Sequence, residues 1–390
     1  MRLISIHEIQ QEMILGKSIY TINNKLLLGA GYRITPEVMT KLQERGFTHI
    51  YIMEEGTEDI IPEDIISEEI RQQALSVISN KAEKIHRYFK FKDISRTKIY
   101  ELLNSGYLKK MNITSDMRKI VHEIFNDITS VGATTLNVIM SKSEHSFYLD
   151  HAINTTVLSI LLSKKYGFSK TEMLNLAIGT LLHDFGKIII EKIREFSGSK
   201  VADELLNEHP TFGYLLVRNS KNSTPMINQI INQHHEHQDG TGYPIGLKGE
   251  NLPPTSNTKR NTKGTIYRLA EVCSVANSYD NLVMNPKEHK QRNPSEAMKE
   301  LICGAGTIWN KHIVNTLIEI IPAFPVGTSI IVNDIIDHSL IGYRGVVAKI
   351  NPNHLNRPVI VLLYDRFMKR IKPRMIDTSK LKHVKLELLL

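Results

Sequence analysis

Residues 181–187 read LLHDFGK, and residues 234–244 read HHEHQDGTGYP. Around the first stretch, apolar residues recur at three- and four-residue steps, as in Val157, Ile160, Leu161 and again Met173, Leu176, Ile178. That period is helical. Two further histidines stand in similar surroundings, His151 in YLDHAINTTVL and His209 in HPTFG. Each histidine is flanked by apolar helical residues, so each is expected to project from a core helix. One buried histidine is ordinarily a satisfied core residue. Six imidazoles and carboxylates in one helical region, with His183-Asp184 and His234-His235 adjacent, weaken that explanation, although spacing alone leaves a metal site and a polar core both open.

Imidazole and carboxylate together suit borderline transition metals. Neighbouring residues on a helix differ in direction by about 100°. Adjacent ligands therefore suit a bridging arrangement, in which Asp184 spans two metals while His183 serves one, and His234 and His235 serve one each. Two metals about 3.5–4 Å apart activate a water and clamp a phosphoryl oxygen. The chain offers no convincing Ser–His or Cys–His nucleophile.

Composition sets the frame. The chain has 390 residues, enough for two or three domains, and is 41% hydrophobic and 23% charged, as in ordinary globular proteins. No apolar run is long enough to span a membrane, and the first residues carry Glu8 and Glu12 rather than a leader pattern. Two cysteines, Cys273 and Cys303, argue against a disulfide framework and for a reducing cytoplasm. The net charge is +8, but the basic residues are scattered and lack interleaved aromatics, so nucleic-acid polymer is not an expected partner.

The expected fold is mainly α: an all-helical central domain with a small N-terminal α/β module and a small C-terminal β domain. Residues 1–65 mix strand signals with a short helix capped by Thr35 and Pro36, and Asn23-Asn24 reads as a hairpin turn. Residues 66–125 read as a helical linker, 126–325 as the main helical domain, and 326–390 as β-rich, with strands at Ser329–Val332, Gly345–Ile350 and Val359–Tyr364.

The histidine motifs, taken in order, resemble the HD-GYP family of HD-domain phosphohydrolases. His151, HDFGK at 183–187, HPTFG at 209–213 and HHEHQDGTGYP at 234–244 match, followed by GLKGENLP at 246–253, Ser278-Tyr279-Asp280 and GAGTIW at 304–309. The resemblance covers about 130–322 and implies an all-helical domain holding divalent metals, iron or manganese. It implies hydrolysis of cyclic di-GMP to linear pGpG and onward to GMP. Carried over, the metal ligands are His151, His183, Asp184, His209, His234 and His235, with Asp184 bridging. Lys187 becomes a phosphate contact, against the plainer alternative of a helix-end lysine facing the dipole. The loop Asp239, Gly240, Gly242, Tyr243, Pro244 is linked to contacts with diguanylate cyclase domains, against the alternative of a turn bracing the metal helix.

Three positions depart from the family. Asn277 stands where an aspartate ligand is usual, leaving a neutral carbonyl oxygen, while Asp280 retains the second acid beside the substrate site. Phe147 replaces the glutamate of three-metal members, so two ions are expected at most. PKEH at 286–289 replaces an arginine-bearing segment, with Lys287 or Lys290 as partial substitutes. These departures keep open a cyclic di-GMP sensor that binds without cleaving, and an HD hydrolase of another nucleotide. The N-terminal module carries no catalytic motif and is expected to sense a signal, form a homodimer or dock a partner.

Overall fold

The computed structural model describes residues 1–21, 25–89, 96–105, 111–130, 147–258, 263–285 and 290–389. The expected turn at Asn23-Asn24 and the candidate Lys287 lie outside these residues.

The N-terminal module contains β1 (Arg2–Ser5), β2 (Ile14–Leu15), β3 (Ile19–Tyr20), β4 (Leu26–Leu28), α1 (Pro36–Glu44) and β5 (His49–Met53). An antiparallel sheet runs in the order β1-β5-β2, and β3 pairs with β4. The Thr35 hydroxyl accepts from the Val38 amide at 3.3 Å and Pro36 opens the helix, as the cap signal predicts. Ile4, Leu15, Ile34, Leu42 and Ile50 form a separate small core.

The central body is helical: α2 (Glu68–Tyr88), α3 (Arg96–Asn104), α4 (Ile113–Ser130), α5 (Phe147–Lys165), α6 (Lys170–Leu181), α7 (Lys187–Ser197), α8 (Ser199–Glu204), α9 (His209–Val217), α10 (Pro225–Gln233), α11 (Arg268–Val283), the short pair β6 (Met284–Asn285) and β7 (Lys290–Gln291), α12 (Pro294–Gly304) and α13 (Lys311–Ile318). Helix α5 is buried on every side: Ile153, Val157, Leu158 and Leu162 share its interior position with Thr155, Thr156 and Ser159. Such a helix belongs at the centre of a body rather than on its surface. Residues 66–125, expected as a linker, share this core. Leu75, Ile78 and Ile85 of α2 and Met117, Val121 and Ile124 of α4 belong to the same buried cluster as Leu158 and Leu176. Each fully buried side chain of this kind contributes about 1.5–3 kcal/mol. An ion pair adds a polar tie: Arg71 of α2 meets the buried Asp150 of α5.

The C-terminal strands β8 (Ser329–Ile335), β9 (Arg344–Lys349), β10 (Val359–Tyr364), β11 (Arg370–Asp377) and β12 (Val384–Leu389) form one antiparallel sheet in the order β11-β10-β9-β8-β12. The three expected strands coincide with β8, β9 and β10, the second running one residue past β9 at Ile350. The sequence reading did not find β11 and β12, which form the sheet's edges. Pro373 in β11 cannot donate to a ladder and speaks against a strand, yet at an edge it is tolerated.

This sheet clasps the N-terminal module. The Leu3 amide donates to the Gly327 carbonyl at 2.7 Å, and Glu54 receives Arg2 at 2.8 Å together with Arg370 and the Tyr364 hydroxyl. No helix among the described residues is long and apolar enough to cross a membrane.

Candidate metal centre

Four separate places in the helical body contribute to one cluster. His151 lies within α5. His183 and Asp184 stand in the tight turn between α6 and α7, not on a helix as the apolar flanks suggested. The turn is held by Gly186, whose Cα sits so close to α9 that an added methyl would lie 1.9 Å from the His209 carbonyl oxygen. His209 is the first residue of α9, and His234-His235 follow directly on α10. The helices thus supply rigid supports, and the ligands stand mostly at their ends.

Hydrogen bonding sets the tautomer of the rings. The Nδ1 atoms of His183, His209 and His234 lie 2.6, 2.7 and 2.8 Å from the carbonyl oxygens of Thr180, Leu206 and Ile231, each three residues back. A carbonyl only accepts, so each Nδ1 donates and each Nε2 carries a lone pair. His151 does the same toward a carboxylate: its Nδ1 is 2.7 Å from Asp280 Oδ2, and Asn154 donates to Asp280 Oδ1 at 2.9 Å. This is the partner pattern of metal-ligating histidines.

The freed nitrogens converge. His151 Nε2 and His183 Nε2 are 3.3 Å apart, as are His209 Nε2 and His234 Nε2. Asp184 lies between the two sets. Its Oδ2 faces His183 at 3.5 Å and His151 at 3.8 Å; its Oδ1 faces His209 at 3.2 Å and His234 at 3.8 Å. Oδ1 is buried and accepts no hydrogen bond. Lone pairs facing lone pairs at these distances repel unless a cation stands among them. At His183, His234 and His235 protonation does not supply it near neutral pH, because burial lowers the His234 imidazole to about 4 and holds the other two well below their ordinary value. Burial also pushes the Asp184 carboxyl up, but His183, Lys187 and the neighbouring histidines outweigh it and keep it ionised well below the usual carboxylate range. The donor atoms fall into two groups able to hold an ion each: His151, His183 and Asp184, and Asp184, His209, His234 and His235. His234 and His235 therefore share one group instead of serving one metal each, because both follow the same helix end.

Lys187 Nζ is 2.6 Å from Asp184 Oδ2 and partly exposed. It is the first residue of α7, the positive end of the helix dipole, where a lysine gains nothing from the dipole. The helix-end alternative is thereby weakened. The exposed ring of Tyr148 stands 5.9 Å from the same ammonium.

The glycine-rich loop braces the second group. Tyr243 stacks on His235 with centroids 4.6 Å apart, and its amide donates to the His235 carbonyl at 3.1 Å. Gly242 is required, since a Cβ there would lie 2.4 Å from that carbonyl oxygen. Buried Glu236 accepts from the Ile245 and Leu247 amides at 2.8 and 2.7 Å. Asp239 is exposed and accepts from Thr241; Gly240 takes a positive φ of 85°, and Pro244 follows Tyr243 at the loop's end. Asn277 is buried, and its carbonyl oxygen accepts from Asn281 at 2.7 Å. Asp280, expected beside the substrate, is fully buried and lies behind His151. Sequence reasoning missed Asn154 and Glu236. Their signal was proximity to the motifs, since each lies within three residues of a ligand histidine.

Residues 134–257 match the family described as HD domain. The chain is 26% identical over 196 residues to the cyclic di-GMP phosphodiesterase PdeB of Borreliella burgdorferi, covering 50% of this chain and 48% of that protein. It is 24% identical over 234 residues to a cyclic di-GMP phosphodiesterase of Thermotoga maritima, covering 58% and 59%. It is 23% identical over 215 residues to the 3'3'-cGAMP-specific phosphodiesterase 2 of Vibrio cholerae, covering 54% and 37%. The chain spans about half the length of the curated relatives it matches. The matched segment contains His151, His183, Asp184, His209, His234 and His235. Its motif order and these relatives together support the HD-GYP assignment.

Proposed function

We propose that this chain is a metal-dependent phosphodiesterase of the HD-GYP type, hydrolysing cyclic di-GMP to pGpG and onward to GMP. One observation carries the reading: Asp184 turns its two oxygens toward two separate sets of imidazole nitrogens that bear lone pairs. His151 and His183 would hold one divalent ion with Asp184; His209, His234 and His235 would hold the other. Iron or manganese suits this nitrogen–oxygen set. When bound, such ions polarise a phosphoryl oxygen and acidify water.

The chain's own groups complete the site. Lys187 presents a fixed ammonium at the edge of the cluster, placed to offset charge on a phosphate. Tyr243 holds His235 in place by stacking. Asp280 orients His151 and sets its tautomer. The same reading keeps the 239–244 loop as a docking point for a diguanylate cyclase domain, and goes with a homodimer in a reducing cytoplasm.

The test is elemental analysis of anaerobically iron- or manganese-loaded protein, paired with cyclic di-GMP turnover. Two ions per chain and linear product are expected, and Asp184→Ala should lose both. Loaded protein that binds two ions yet cleaves no cyclic dinucleotide would overturn the enzyme reading. Asn277 favours a second reading, a cyclic di-GMP sensor: it removes one negative charge, and its oxygen is engaged by Asn281. Tight nucleotide binding that survives chelation, without product, would select it. A panel including 3'3'-cGAMP would select a hydrolase of another nucleotide.

A further inference from the structure

We propose that the hairpin apex joining β10 to β11 is a peripheral docking point for an anionic lipid surface. The apex reads Asp365-Arg366-Phe367-Met368-Lys369. Phe367 is 76% exposed and Met368 52% exposed, two large apolar side chains side by side at a turn. Met368 takes a positive φ of 64°. Glycine or asparagine adopts that conformation readily, whereas methionine there is strained. The apex is nevertheless well built. Asp365 Oδ1 accepts from the Phe367 and Lys369 amides, both at 2.9 Å, and the Arg366 guanidinium lies over the Phe367 ring at 5.0 Å.

The β8–β9 connection lies against the same end of the sheet. A methyl on Gly342 would meet Arg366 Cβ at 3.0 Å, and this connection exposes Ile336 and Ile341. Charge selects the occupant. Arg366, Lys369, Lys372 and Arg374 are all exposed around the apex. The nearest acids are Asp365, engaged as above, Asp337, which accepts from the Ser339 amide and hydroxyl with Arg374 at 3.8 Å, and Glu54, which pairs with Arg370 near Glu58 farther down β11. Exposed apolar side chains at a turn, with Arg366 and Lys369 beside them and Lys372 and Arg374 along β11, match an apolar layer lying under anionic headgroups.

The test is co-sedimentation of the full chain with vesicles of phosphatidylcholine, with and without phosphatidylglycerol. Binding is expected only to the anionic vesicles and should weaken with salt. Because the whole chain carries net charge +8, the decisive variant is Phe367→Ser/Met368→Gly, which keeps every charge. It should bind at least tenfold more weakly at an unchanged melting temperature. Arg366→Gln/Lys369→Gln should weaken binding independently. No binding by the wild-type chain overturns the proposal and leaves a protein partner as the alternative. Equal binding by the Phe367/Met368 variant also overturns it, since bulk charge would then suffice.

Discussion

Replacing Asp280 by asparagine keeps its shape but removes the charge that receives the His151 Nδ1 proton. Loss of such a partner costs about 10–100-fold in metal affinity. The deficit should be confined to the ion held by His151 and His183, with the His209 group still loaded; competition titration with a chelator reads this as one weakened site out of two. A second residue carries a pH dependence far from the centre. Burial lowers the His49 imidazole to about 4, outweighing the carboxylate of Glu8. Between that value and the ordinary 6.5 the unfolded chain binds the extra proton, so stability is intact above about pH 6.5 and is lost as pH falls toward 4. His49→Gln should flatten that loss when urea midpoints are compared at pH 7 and pH 5. Most residues of the candidate cluster were legible in the sequence because metal chemistry admits few residue types. Asp280 was misplaced because its acidity was visible but the neighbour it faces was not.

The turn between α6 and α7 decides whether the two groups of ligands meet. An added Cβ at Gly186 would run into backbone, the His209 carbonyl oxygen at 1.9 Å and the Gly213 amide nitrogen at 2.7 Å. Backbone on both sides cannot rotate away. Gly186→Ala should therefore cost about 3 kcal/mol or more in stability, and should displace α9 so that ion binding at His209 falls further than at His151. Thermal unfolding and metal stoichiometry together check this. Helical periodicity found the helices but overran them at this turn, since Leu182 and Phe185 continue the apolar pattern of Leu181 after the helix has ended. Edge strand β11 was hidden for the converse reason: its proline and exposed basic residues lack the alternation that marks a half-buried strand.

At the scale of the molecule, contacts between distant parts of the chain tie the modules together. Arg71 and Asp150 are 79 residues apart, and the Tyr364 hydroxyl reaches Glu54 across 310. No local pattern announces such pairs, which is why residues 66–125 read as a linker. Glu54 is the shared acid of the clasp between the N-terminal module and the C-terminal sheet. Glu54→Gln should destabilise the chain by about 1–3 kcal/mol, less than a fully buried pair because Arg370 is one-third exposed. Faster proteolysis in residues 54–65, at unchanged metal content, would localise the effect to the clasp.

The three backbone carbonyls that fix His183, His209 and His234 have a kinetic meaning. Each ring is committed to one tautomer by its own local turn, before any ion arrives. Binding an ion would then require none of these three imidazoles to flip, which would leave the ion's own shedding of its hydration shell to set the pace. Ions that exchange water slowly will fill the centre slowly, however tightly they are finally held. Occupancy would then follow which suitable ion is abundant and labile when the chain folds, as much as which one these six residues prefer.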